Sequence, residues 1–169
     1  MSFTVEEKKE IQQADIKCIL PNIDLSQREG GKESFLYEYE ISDMIQNYDD
    51  AYYTSTTDSV FLLDIKELKD YVIGRGWEYR KKPTQEAINL SEYDYEGLTD
   101  DGFWYCWLRT PVAESDSGVR RIRRDGNING YDAADSSVGI APALYLNKEV
   151  KVKEGSGTYE NPYTIIMNL

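Results

Sequence analysis

Apolar residues recur every three or four positions before residue 75 and alternate after residue 100. Residues 4–20 read as a helix. Thr4 and Glu7 have the spacing of a capping box, in which side chain and backbone satisfy each other's free N–H groups. Val5, Ile11, Ala14 and Cys18 give that helix a thin apolar stripe, and Pro21 closes it. So thin a stripe suits an appendage that docks on the body or on another chain. Residues 27–32 are polar, hold Gly30 and Gly31, and read as a loop. Ser34 is placed to cap a second helix, with Ile41, Met44, Ile45 and Tyr48 on one face. Residues 55–58 read as a turn, and Val60, Phe61, Leu62 and Leu63 as a short buried strand. Asp64 and Glu67 repeat the capping spacing ahead of a third helix. Ile65, Leu68, Tyr71 and Val72 form its stripe, and Gly74 suits its end. Residues 74–101 are irregular, with a short helix expected after Pro83. A loop this long inside a domain is usually functional or poorly ordered.

Strands dominate from Phe103. Residues 103–109 form an aromatic strand that Pro111 ends, with Phe103, Tyr105 and Trp107 on one face and Trp104 and Cys106 on the other. Residues 119–124 and 128–131 flank Asp125-Gly126, a strong hairpin signal. Further strands are expected within 138–146 and 163–167. Trp107, Leu108 and Leu144 are the expected core, with Phe61 and Leu63 beside them. The division this suggests is a helical appendage and linker over 1–32 and one α+β domain over 33–169. It would carry two or three helices in its first half and a twisted, mostly antiparallel sheet in its second.

Composition narrows the chemistry. The 169 residues carry a net charge of −12, which opposes nucleic-acid binding by bulk charge, because phosphates call for Lys and Arg. No apolar run is long enough to span a bilayer, and no signal peptide is visible. There is no histidine, which removes Ser-His-Asp and Cys-His nucleophile systems and His-ligated metals. Cys18 and Cys106 lie far apart and in no zinc-like spacing. Fourteen tyrosines offer rigid contact area at low entropic cost.

Four blocks resemble a known family. They are Thr57-Asp58-Ser59-Val60-Phe61-Leu62-Leu63 with the helix after it, Trp107-Leu108-Arg109-Thr110-Pro111, Val119 with Asp125-Gly126, and Gly139-Ile140-Ala141-Pro142-Ala143-Leu144. Their order is similar to a bacterial domain of unknown function, family 6273. That family's pattern runs D-x-V-F-L-L-S, W-W-L-R-S-P-G, V-x-x-x-G and G-V-R-P-A-L. The match spans residues 57–146. Cys106 replaces the first Trp of the pair, and Ala141 replaces the Arg of the last block. Residues 155–163 look like a closing segment that follows such domains in bacterial surface proteins. The family in turn resembles C-type-lectin-like and formylglycine-generating-enzyme-like domains, which pair two helices with a twisted sheet and an irregular ligand face. The resemblance implies a lectin-like scaffold in a bacterial or phage protein.

Three features carry candidate chemistry. Arg109, Arg120, Arg121, Arg123 and Arg124 crowd into sixteen positions that hold only two acids, Glu114 and Asp116. They could clamp an acidic partner or neutralise the protein's own carboxylates. Asp125, Asn127, Asn129 and Gly130 follow the start of a calcium loop, with Asp132 and Asp135 nearby. Ser136 stands where such a loop needs bidentate Glu, and the hairpin turn is the simpler reading. Residues 112–118 and 127–137 are polar, and the resemblance puts them on the ligand face. The expected contacts are therefore Arg121, Arg123, Tyr131, Ser115, Asn127, Asn129, Ser136 and Tyr105. The function expected is non-enzymatic recognition of a protein or glycan, with no cofactor, no nucleic acid and no membrane span in this chain. Cell-surface or phage-particle association would fit it, as would oligomerisation through the N-terminal helix. The alternatives are a pilin-like assembly subunit and a carboxylate-dependent enzyme.

Overall fold

Only the first turns of the expected N-terminal helix are helical. The computed structural model describes residues 3–34, 45–91, 96–158 and 160–166. Helix α1 (Val5–Glu10) carries the full capping box, with Glu7 N–H donating to Thr4 Oγ1 at 3.1 Å and Thr4 N–H to Glu7 Oε2 at 2.7 Å. Beyond it the chain extends into β1 (Ile11–Gln12) and β2 (Ala14–Ile19). The expectation of a helix to Leu20 is corrected: β2 pairs antiparallel with β3 (Tyr53–Asp58), from Ala14↔Asp58 to Ile19↔Tyr53. The turn expected over 55–58 is therefore also strand. Pairing buries Ile16, Ile19 and Leu20, a gain that no local helical spacing offers.

Most of the second expected helix, including Ile41 and Met44, lies outside the described residues. Ile45 and Tyr48 lie in turns, with Tyr48 buried in the core and Ile45 packed against it. Just upstream of β3, Ala51 and Tyr52 press on Gly31 so closely that a Cβ there would meet Ala51 O at 2.4 Å.

Residues 60–63 form no strand. Phe61 makes a single antiparallel bridge with Ala143, and the backbone then enters α2 (Ile65–Glu67). Asp64 caps it as expected. The helix widens over Leu68–Val72, tightens over Ile73–Arg75 and ends at Gly76, whose φ is +71°, not at Gly74. The short helix expected after Pro83 is α3 (Gln85–Asn89).

One three-stranded antiparallel sheet organises the second half, in the order β4 (Cys106–Pro111), β5 (Gly118–Ile122), β6 (Ile128–Asp132). The expected hairpin forms through Asp125-Gly126, with Gly126 at φ +89°. β4 starts three residues later than expected. Its inner face is Cys106, Leu108 and Thr110, so Trp107 is half-buried on the outer face and the expectation of a core Trp107 is corrected. Leu144, Phe61 and Leu63 are also only half-buried, though Leu63 packs on the core. Within 138–146 only β7 (Tyr145–Leu146) is strand, closing on β1. The final strand is β9 (Thr164–Ile166), paired with β8 (Lys151–Glu154).

The core joins both halves: Ile19, Tyr48, Ala51, Ile65, Leu68, Leu108, Ile122 and Ile128 form one cluster. The architecture is mixed helix and antiparallel sheet. No helix among the described residues is long and apolar enough to cross a membrane.

Candidate functional site

Strand register decides which candidate residues meet. Side chains alternate across a sheet, so Trp107, Arg121 and Asn129, paired across β4, β5 and β6, share one face. Val119 and Tyr131 pair on the same face two positions along. The opposite face carries Ile122 and Ile128 into the core cluster and buries Cys106.

On the outer face Arg121 lies between two tyrosines. Its guanidinium carbon is 3.5 Å from the Tyr131 ring centroid and 4.4 Å from that of Tyr105. Its Nε donates to Asn129 Oδ1 at 3.2 Å. A planar cation against two ring faces gains from their quadrupoles and packs flat. Arg121 is 8% exposed, whereas Tyr131 is 41% exposed. The arginine is thus the inner layer and Tyr131 the layer exposed to solvent. Asp135 borders this group. The hydroxyl and N–H of Ser137 hold its carboxyl below the usual range, with Tyr131 and the Arg121 charge adding to the effect. Trp104 Nε1 donates to Ser137 O at 2.7 Å and pins the same loop.

Four expected contacts, Tyr105, Arg121, Asn129 and Tyr131, come together here. The other four do not. Ser115 lies at the open end of the hairpin, where its Oγ accepts from the N–H groups of Ser117 and Gly118. Ser136 is exposed in the turn that follows β6. Arg123 and Asn127 are at the closed end, where Arg123 Nη2 lies 3.5 Å from Asp125 Oδ2. Asn127 donates to both carboxylate oxygens of Asp125, at 3.0 and 3.2 Å. Asp125 is therefore an organiser of the turn. Among the described residues no group of three or more His, Cys, Asp or Glu could hold a metal ion.

A second polar site was hidden in the sequence. Arg109 Nη2 reaches Asp64 Oδ2 at 2.8 Å and Nη1 reaches Glu67 Oε2 at 2.6 Å. Tyr48 also donates to Asp64 Oδ2, and Arg109 to Leu62 O. Of the five clustered arginines, Arg109 thus serves the protein's own acids. A cleft of about 240 Å³ opens beside them, lined also by Lys17, Tyr71 and Tyr145. Burial raises the Asp64 and Tyr48 pKa values and lowers that of Lys17. Both carboxylates are engaged by Arg109, which makes the network a lock between α2 and β4. The repeated capping spacing at Asp64 and Glu67 was its sequence signal, but nothing local pointed to a partner 45 residues away.

The sequence model of a family described as a domain of unknown function (DUF6273) matches residues 2–148, and the chain belongs to that family. No curated protein and no solved structure matches it.

Proposed function

We propose that this member of the DUF6273 family is a non-enzymatic recognition domain that offers a tyrosine–arginine platform to a protein or glycan partner. The carrying observation is Arg121 held between Tyr105 and Tyr131, with the Tyr131 ring left exposed. A ring clamped on one side by a buried cation loses little conformational freedom on binding. Asn129 and Asp135 beside it supply directional polar groups. The same reading includes a C-type-lectin-like scaffold and a bacterial or phage surface role. The short helices ahead of a small antiparallel sheet and the long irregular connections support that scaffold.

The test applies labelled protein to a glycan array and to intact bacterial cells. Wild type should bind, and Tyr131→Ala should bind at least about tenfold more weakly, the scale of one interface anchor, while staying folded with a stability loss within about 2 kcal/mol from the lost ring–cation contact. Equal binding by the two proteins, or no binding by wild type to either surface, would remove the assignment.

A further inference from the structure

A cavity of about 440 Å³ lies on the other side of the sheet from Tyr131. Its apolar floor includes Cys106, Leu108 and Ile122 from the core face of β4 and β5, with Leu68 of the second helix. Trp104 and residues 139–143 form a wall. Thr84 and Ala87 of α3 also line it.

Three observations set this cavity apart from a packing defect. First, its size is that of small-molecule pockets, and its lining is mostly apolar. Second, its helical cover is barely attached. α3 has five residues and buries none of them, and Leu90 just after it is 82% exposed. Such a helix can yield to a guest at small cost. Third, the lining carries two charged residues, Lys81 and Lys82, and no acid, in a chain with 31 Asp and Glu against 19 Lys and Arg. Lys81 is exposed, and its carbonyl accepts the Trp104 N–H at 2.9 Å, which fixes its backbone beside the wall. Its charge is felt at the Cys106 thiol on the floor, where it opposes the upward push of burial.

We propose that this cavity is a binding site for a small amphipathic organic anion, with the apolar body among Trp104, Leu108 and Ile122 and the carboxylate at Lys81. Tyr105 borders both this cavity and the Tyr131 platform, but none of Trp104, Leu108, Ile122 and Lys81 belongs to the platform, so variants of Lys81 and Tyr131 test the two sites separately. Cys106 has no covalent part in it.

Isothermal titration of the intact chain with decanoate, 1-decanol and decylammonium, below their aggregation limits, tests the assignment. Decanoate should bind one to one. Decanol should bind about twofold to fivefold more weakly, the worth of one exposed charge contact, and decylammonium weaker still. Lys81→Glu, a change at an exposed side chain that leaves Lys82 in place, should remove most of the preference for decanoate over decylammonium. Ala87→Trp fills the cavity from an exposed helix and should abolish binding without lowering the melting temperature. Absence of saturable binding by all three compounds would overturn the proposal. So would equal affinity of the wild type for decanoate and decylammonium, or a preference between them unchanged in Lys81→Glu.

Discussion

Arg109 Nη2 and Asp64 Oδ2 meet at 2.8 Å with their side chains 13% and 3% exposed, which ties the middle of β4 to the cap of α2. The same few atoms do several jobs. Asp64 Oδ1 accepts the Glu67 N–H at 2.7 Å, and Glu67 Oε2 accepts both the Asp64 N–H at 3.0 Å and Arg109 Nη1 at 2.6 Å. One residue further along β4, Thr110 Oγ1 accepts the Ile65 N–H at 2.9 Å. Removing the cation leaves two carboxylates short of a partner in a poorly hydrated place. Arg109→Met should therefore cost about 3–5 kcal/mol in urea unfolding, and Arg109→Lys less, because one ammonium cannot span both acids. A loss under about 1 kcal/mol for Arg109→Met would show that the network adds nothing net.

The Asp64 carboxyl also predicts a pH dependence. Burial raises its pKa, outweighing the opposing effects of the Glu67 N–H, Tyr48 and Arg109. A group whose pKa is higher folded than unfolded binds more protons when folded. Its contribution is complete below the unfolded value of about 3.9 and is lost as pH rises through the folded value. Glu78 works in the opposite sense. Arg80 pulls it down to about 2, so its contribution fades as pH falls below the ordinary carboxylate range, although the pair is largely exposed and screened. Asp64→Asn isolates the first effect. Urea midpoints of wild type minus variant should fall as pH rises from about 4 through the weakly acidic range, then level off. A rising difference would mean that Arg109 outweighs burial.

What the sequence revealed depended on how far apart the interacting residues lie. The capping boxes at Thr4 and Asp64 and the hairpin through Asp125-Gly126 were legible because each is complete within a few residues. Residues 11–20 were misread because Ile11, Ala14 and Cys18 fit a helical spacing, whereas the chain buries Ile16 and Ile19 in a strand whose partner lies about 40 residues away. The missed signal was the partner itself: Tyr52-Tyr53-Thr54-Ser55-Thr56-Thr57 is dense in residues that favour strands. At the site, alternation did separate the two faces of residues 103–109, but it could not say which face was core. The packing of Leu108 and Ile122 against Leu68 and Ile65 decides that, and it turns Trp107 outward.

The two arginines proposed as contacts should behave differently. Arginines that served only as partner contacts would tolerate charge reversal with little loss of stability, whereas arginines that support the fold would not. Arg121 is nearly buried between two rings and bonded to Asn129, so Arg121→Glu should cost about 2 kcal/mol or more. Arg123 is 43% exposed at its side chain and holds only a 3.5 Å pair with Asp125, so Arg123→Glu should stay within about 1 kcal/mol of wild type. A double-mutant cycle of Arg121→Ala and Tyr131→Ala should return a coupling of about 0.5–2 kcal/mol. Independent, additive effects would mean that the ring and cation do not support each other.

Calcium should leave this protein's stability unchanged. The oxygens a cation would need at Asp125 already accept from Asn127, whose N–H is the main cause of the lowered Asp125 pKa. Ser136 offers no bidentate carboxylate at the twelfth position of the loop pattern. Melting curves with chelator and with about 1 mM calcium, ample for sensor-type sites, should superimpose. A rise in melting temperature that Asp125→Ala removes would restore the metal reading.

The β8–β9 hairpin lies beyond residues 2–148 of the family match and should be separable from the body. Its strands pair with each other, Lys151↔Ile166 and Val152↔Ile165, and every residue in them is exposed. A two-stranded ribbon of this kind has little stability of its own and lends little to its neighbours. Asn147, a few residues earlier, is tied in firmly. Its N–H donates to Glu10 O at 2.8 Å, its Nδ2 to Lys9 O at 2.8 Å, and its Oδ1 accepts Gln12 Nε2 at 3.0 Å. Beside it, Tyr145 sets its ring 5.2 Å from that of Phe61. A chain ending at Val150 should therefore unfold within about 0.5 kcal/mol of the full chain, as expected for losing exposed residues. A chain ending at Leu144 forfeits β7 and the Asn147 bonds and should lose about 2–3 kcal/mol, from several modest hydrogen bonds and one ring pair. Limited trypsin digestion gives an independent reading, because local opening governs cleavage. The first cuts should fall at Lys151 and Lys153, leaving a folded body. If removal of the hairpin costs as much as removal of β7, its apolar residues pack on the body in solution.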